Sequence, residues 1–157
     1  TTSPSSLVPR RALVAPSLAD IELFYNQFLV AAPRIAYDIE NPHGPISCVG
    51  FAAEPSRALV IPFETLSGAS YWPTQREELL AWGWVRRILN LPCPKITQYG
   101  QYDIQHLWRR MGITVRNSTE DTLFIHHALQ PEMQKDLGFL GSLYTDIGEW
   151  KSMRRRV

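Results

Sequence analysis

Apolar side chains along the chain switch between two spacings. Leu18, Ile21, Phe24, Tyr25, Phe28 and Leu29 recur three or four residues apart behind Ser17 and Asp20. Ser17 with Asp20 resembles a capping pair and the spacing is that of one helix face, so a helix is predicted up to Ala32, before Pro33. Residues 34–37 are short, β-favouring and followed by the loop signal "NPHGP", and residues 46–54 and 57–63 are two further apolar runs separated only by Pro55 and Ser56. Three strands in an antiparallel meander are predicted.

Helical spacing returns behind Thr74 and Glu77, where Leu79, Leu80, Trp82, Val85, Ile88 and Leu89 lead to Asn90 and the stop "PCP". "KITQYG", residues 95–100, reads as a fourth strand. Ile104, Leu107, Trp108 and Met111 form a helix stripe closed by Gly112, and "ITVRN", residues 113–117, reads as a short fifth strand. Residues 119–129 are predicted as a helix ending before Pro131, and Asp136 as the cap of another bearing Leu137, Leu140 and Tyr144. Trp82 and Trp108 are assigned to the core. Three strands followed by alternating helices and strands imply an α/β domain, a mixed sheet of about five strands flanked by helices.

Composition adds little to this outline. The 157 residues suit one domain over 17–157 behind a Ser- and Pro-rich stretch, 1–16, expected to be flexible or extended. No run approaches the roughly 20 apolar residues of a membrane span. Cys48 and Cys93 have neither metal-ligand nor redox spacing, which places the expectation in a reducing cytoplasm with no membrane partner. Arginines cluster at 10–11, 86–87, 109–110 and 154–156; paired arginines can meet phosphates, but such runs are more often solvated helix faces. The missing initiator Met and the basic end "KSMRRRV" suggest a piece of something longer.

The tripeptide Asp-Ile-Glu occurs twice. At 20–22 it lies in the opening turns of a helix, where carboxylates suit the dipole by about 0.3–1 kcal/mol each. At 38–40 it ends a strand, and residues two apart share a face, so Asp38 and Glu40 project together and repel. Such a pair traps a proton or takes up a hard divalent cation. Asp103, at a strand-to-helix turn of the same sheet, can supply a third ligand near the carboxyl ends of the strands. An Asp-x-Glu alone is weak, as the copy at 20–22 demonstrates, and Asp103 also reads as a helix N-cap. His126 and His127 are adjacent, point to different helix faces and are read as packing residues. Trp72, in a loop beside Tyr71, is the aromatic best placed to stack on a base, a contact worth ~1–3 kcal/mol.

In combination, "IAYDIENPHGPISCVGFA", "ALVIPF", "ITQYGQYDIQHL", "EDTLFIHHALQP" and "DLGFLGSLYTDIGEWK", spanning residues 34–151, resemble the 3′-to-5′ proofreading exonuclease domain of family A DNA polymerases, especially phage versions. The resemblance implies a ribonuclease H-like fold, the DEDD nuclease superfamily in its tyrosine variant, and two Mg²⁺ or Mn²⁺ ions. It implies that Asp38 bridges both ions, that Glu40 holds the one bearing the attacking water and that Asp103 completes the second site. It also implies a supporting cap role for Asp121 and a single-stranded DNA 3′ end as substrate; Tyr102, directly before Asp103, is expected to pack beneath the site.

Two departures qualify it. The family's last motif, Tyr-x-x-x-Asp, should follow "YTDIGEWK", but only Tyr99 to Asp103 fits that pattern, and it overlaps the second motif. Asp121 and Asp146 are the available substitutes, and Asp146 follows Tyr144 too closely. Tyr99 stands where the family usually has an asparagine near the terminal nucleotides. The isolated chain is therefore expected to be feebly active or inactive, with a polymerase domain or partner chain supplying the missing Tyr and Asp. The rival readings are a non-catalytic nucleic-acid- or polymerase-binding module and an RNA exonuclease of the RNase D type.

Overall fold

Residues 9–42 and 44–146 are described by the computed structural model. They run β1 (Arg11–Leu13), α1 (Leu18–Phe24, continued by a π-helical turn, Tyr25–Leu29), β2 (Ile35–Glu40), β3 (Cys48–Glu54), β4 (Arg57–Pro62), α2 (Gln75–Leu89), β5 (Lys95–Thr97), α3 (Gln101–Met111), β6 (Ser118–Asp121), α4 (Thr122–Leu129) and α5 (Leu137–Tyr144). Six strands form one sheet in the order β1-β4-β3-β2-β5-β6. The predicted meander is present: β2 pairs antiparallel with β3, setting Asp38 opposite Gly50 and Glu40 opposite Cys48, and β3 pairs antiparallel with β4. β5 lies parallel to β2, and β6 parallel to β5.

Among the described residues the sheet has six strands, where the sequence predicts about five. Within the expected lead-in segment, Arg11–Leu13 pairs parallel with β4, and Arg11 N–H donates to the Ser56 carbonyl at 2.9 Å. Residues 1–8 lie outside the described residues. At the other edge the predicted strand 113–117 is corrected. Ile113 and Val115 pack on the core, the chain turns at Asn117, whose φ is 54°, and the strand that pairs with β5 is Ser118–Asp121. An edge strand buries neither face well, so its polar sequence carries no apolar period, and the following helix begins at Thr122 instead of 119. The fourth strand is likewise shorter than predicted, ending at Thr97.

One face of the sheet is the core. Ile35, Tyr37 and Ile39 of β2, Val49 and Phe51 of β3, and Leu59 and Ile61 of β4 are buried in one cluster with Ile21 and Leu29 of the first helix and Val85, Ile88 and Leu89 of α2. Each fully buried aliphatic contributes about 1.5–3 kcal/mol. The π-helical turn carries two of these buried residues, Tyr25 and Leu29. Trp82 stacks on Phe63 with centroids 3.6 Å apart, but Trp108, also assigned to the core, is 59% exposed because Leu107 and Asp103 occupy the buried side of α3. The opposite sheet face carries small side chains, Ala36, Gly50, Ala52 and Ala58, which line an open groove of about 320 Å³ that reaches Asp38.

The N-terminal end of β5 is closed by a buried lysine. Lys95 Nζ donates to the carbonyls of Leu91 at 2.7 Å, Cys93 at 2.8 Å and Arg116 at 3.2 Å, and burial lowers its pKa. No helix among the described residues is long and apolar enough to cross a membrane.

Candidate carboxylate site

Strand alternation places Tyr37 and Ile39 in the core and turns Asp38 and Glu40 to the other face. Glu40 is half-buried and Asp38 exposed. β5 lies beside β2 and feeds α3, so the first turn of α3 rises next to the carboxyl end of β2. Asp103 is the third residue of that helix and only 4% exposed. It is not the N-cap, which is Gly100.

Asp103 Oδ2 is buried without a hydrogen-bond partner among the described residues. Burial, then the charges of Asp38, Asp121 and Glu40, push its pKa up to about 7. The same cluster acts on Tyr37. Burial first, and the charges of Asp103, Asp121 and Asp38 after it, raise this phenol to about 12; Ser118 offsets this only in part, and the hydroxyl lacks a well-formed hydrogen bond. Asp38, Glu40 and Asp103, more than 60 positions apart in the chain at their extremes, therefore share one electrostatic environment.

Asp121 builds the turn from which Asp103 projects. Its Oδ1 accepts from Tyr99 N–H at 3.0 Å and Leu123 N–H at 2.9 Å, and its Oδ2 from Gly100 N–H at 2.8 Å. It thus caps α4 and pins the entry to α3 at once. Tyr99 is held at φ 58°, a left-handed conformation that costs a non-glycine residue roughly 1–2 kcal/mol. Gly100 is required for space: a Cβ there would lie 2.1 Å from Thr97 Oγ1. Thr122 completes the knot by donating to the Thr97 carbonyl at 3.1 Å and to the Gln98 side chain.

Several expected residues sit elsewhere. Tyr102 does not pack beneath the site; it is 43% exposed at its rim, where its hydroxyl receives from Asn41 Nδ2 at 2.8 Å and donates to Asn41 Oδ1 at 3.0 Å. This pair fastens the first turn of α3 to the residue that follows β2, a role for Asn41 that "NPHGP" concealed because it reads simply as a loop. Trp72 is 6% exposed and its indole N–H donates to the Pro62 carbonyl at 2.8 Å, so its ring belongs to the core and offers no platform to a base. The ring of Tyr99 is exposed beside the site. Asp146 is ion-paired with Arg10. His126 is buried against Tyr144 and Phe139, whereas His127 is exposed. The last residues of "YTDIGEWK" lie outside the described residues.

The donor set is all carboxylate, and the orphaned oxygen of Asp103 is what a hard cation would satisfy, so the chemistry fits Mg²⁺ or Mn²⁺. The spacing is not that of a closed site: among the described residues no three Asp, Glu, His or Cys side chains stand close enough together to hold an ion.

No family model and no curated protein sequence matches the chain. Its fold, however, is shared with solved structures. RNase D of Escherichia coli, an exoribonuclease involved in structured RNA processing, superposes with a TM-score of 0.64 at 17% identity over 93% of this chain and 36% of its own. The POL domain of Pol1 from M. smegmatis, in complex with DNA primer-template and dNTP, gives 0.64 at 18% identity over 85% of this chain and 22% of that one. NrnC of Brucella melitensis, with bound Mg²⁺, gives 0.56 at 19% identity over 88% and 61% respectively. The chain spans about a third of the first and a fifth of the second. It has the ribonuclease H-like α/β fold of the DEDD 3′-to-5′ exonucleases.

Proposed function

We propose that this chain is a proofreading-type 3′-to-5′ exonuclease domain that hydrolyses the terminal phosphodiester of single-stranded DNA with two Mg²⁺ or Mn²⁺ ions. The observation that carries this reading is the buried Asp103 carboxylate, one oxygen unpartnered, with the charges of Asp38, Glu40 and Asp121 directed at it. Burying charge without compensation is costly, and a cluster that raises one member's pKa this far marks a functional centre.

Asp38, Glu40 and Asp103 would hold the ions, which when bound neutralise charge on the phosphate and lower the pKa of a water. The protein's own part is placement. β2 and α3 present the carboxylates from regular elements, Asp121 fixes the turn beneath Asp103, and the Tyr102–Asn41 pair holds the two elements together at the rim. Tyr37, its pKa raised by burial and by the neighbouring carboxylates, stays a neutral phenol at every working pH. Tyr99 would meet the terminal nucleotide. Residues 17–157 act as one nuclease domain, beside a polymerase domain or partner chain that brings the last motif's Tyr and Asp. The likeness to an exoribonuclease supports a second reading with an RNA end as substrate.

The test is release of labelled 3′ nucleotides from matched single-stranded DNA and RNA with Mg²⁺ or Mn²⁺. Faint, metal-dependent release from DNA that Asp38→Ala abolishes supports the proposal; preference for RNA supports the second reading. Strand binding without any release under either metal, with or without an added partner, would leave a non-catalytic module.

A further inference from the structure

Asp38, Glu40 and Asp103 lie at the carboxyl end of β2 and β5, and a group of arginines follows α2 and α3 to the opposite end of the sheet. Between Glu78 and Glu120 the chain has Arg86, Arg87, Lys95, Arg109, Arg110 and Arg116 against one acid, Asp103. Lys95 is consumed by three carbonyls. The arginines fall at two helix ends: Arg86 and Arg87 in the last turn of α2, Arg109 and Arg110 in the last turn of α3. One backbone and one side-chain hydrogen bond tie the end of α2 to the segment that follows α3, Arg116 N–H donating to the Leu89 carbonyl at 3.0 Å and Asn90 Nδ2 to the Thr114 carbonyl at 3.4 Å. Between them lies an open cleft of about 440 Å³ lined by Gly83, Arg86, Arg87, Asn90, Gly112 and Thr114.

A basic last turn complements a helix dipole and by itself needs no ligand. Two such turns at one end of the sheet, with Arg116 added, make a different situation, because each guanidinium raises the cost of the next. Arg86, Arg109, Arg110 and Arg116 are exposed, and none has an ion pair among the described residues. Arg87 alone has an internal use, lying over the rings of Tyr25 at 4.9 Å and Trp84 at 5.1 Å. The two glycines leave the cleft floor open to a polyanion.

α3 connects this cleft to the carboxylates. Tyr102, His106 and Arg109 follow one another at helical spacing on its exposed side, the Tyr102 and His106 rings 4.1 Å apart. From Asp103 in the first turn to Arg110 in the last the rise is about 10 Å. We propose that the cleft is a phosphate-binding surface for a single nucleic-acid strand, which runs along the Tyr102–His106–Arg109 side of α3 and seats its backbone on Arg86, Arg109, Arg110 and Arg116. Only the placing of that strand's end at Asp38 and Asp103 rests on the nuclease reading. Binding is read through phosphates and stacking, so it is indifferent to base sequence.

The experiment is fluorescence anisotropy of labelled oligo(dT) with the full chain in EDTA, titrated at several salt concentrations. Arg109→Ala/Arg110→Ala and Arg86→Ala/Arg116→Ala should each weaken binding roughly tenfold at low salt and flatten the dependence of log affinity on log salt by about 0.7 for each phosphate left without its arginine. Arg109→Lys/Arg110→Lys, which keeps the charge, should retain the wild-type slope and guards against loss through misfolding. Unchanged affinity and slope in both alanine pairs, or no measurable binding by the wild type, overturns the proposal. The nuclease reading fails separately, when a strand held in this arginine-dependent way is never shortened in Mg²⁺ or Mn²⁺.

Discussion

The carboxylate of Asp121 accepts the backbone N–H of Gly100 at 2.8 Å, and through that bond a residue at the end of an edge strand sets the direction in which α3 leaves the sheet. Its other oxygen takes the N–H groups of Tyr99 and Leu123. Asp121→Ala should therefore lose a helix cap and two charge-assisted bonds together, about 2–3 kcal/mol. For a chain of this length that lowers the melting temperature by roughly 4–12 °C. Asp121→Asn, which keeps one acceptor, should fall between; a melt unchanged within a degree in both variants would refute the role.

Gly100→Ala should be at least as damaging. The new methyl would meet Oγ1, Cβ and Cγ2 of Thr97 at 2.1, 2.5 and 2.8 Å, and Thr97 is itself buried in β5. Thr97→Ala added to Gly100→Ala should recover only part of the loss, because the Cβ contact persists. Full recovery in chemical denaturation would show that the clash is elsewhere.

The metal-free chain should be more stable near pH 5 than near pH 8. Asp103 has a folded pKa of about 7 against an ordinary 3.8, so on raising the pH the unfolded chain gives up this proton first. Stability then falls between those two values and levels off above pH 7. Three pH units correspond to at most about 4 kcal/mol, reduced by whatever solvent still reaches the group. Asp103→Asn should flatten this dependence, and Mg²⁺ or Mn²⁺ at pH 8 should restore wild-type stability without affecting the variant. Parallel melts with the same pH slope for both proteins would contradict it.

Metal titration should reveal weak, unequal binding, one ion held better than a second. Carboxylates with unclosed spacing leave Mg²⁺ most of its water shell and few protein ligands to hold it. Calorimetry with Mn²⁺ should show the stronger site weakened by Asp38→Asn. Two equal, tight sites would be the opposite outcome.

Trp72→Ala should cost about 3–5 kcal/mol through the cavity it leaves and the missing bond to Pro62, yet leave oligonucleotide affinity at a low, fold-preserving temperature within twofold. A large drop in affinity in a protein that still melts normally would return Trp72 to the substrate surface.

Much of the fold was legible in the chain's periodicity. Alternation from Ile35 to Glu40 placed Asp38 and Glu40 on one face because the period of a strand is two whatever surrounds it. Caps at Ser17, Thr74 and Asp136 and the left-handed Gly112 marked helix ends by local hydrogen bonding and backbone freedom. The edges were not legible. β1 is only three residues long and β6 is wholly polar, and they are strands only because β4 and β5 offer unpaired edges. Trp72 and Trp108 exchanged their expected places, since a large aromatic fits either a core or a surface and only the neighbours decide.

The sequence by itself determined which segments form helices and inner strands, and that two carboxylates share a strand face, because those follow from local geometry. Tertiary structure alone decided that Asp103 is buried beside them, that Asp121 pins the turn beneath it and that Arg86 and Arg87 line a cleft with Gly112 at the end of α3. Those are consequences of parallel pairing between β2, β5 and β6 and of helices returning across the sheet, and distances between residues tens of positions apart exist only once that packing is made.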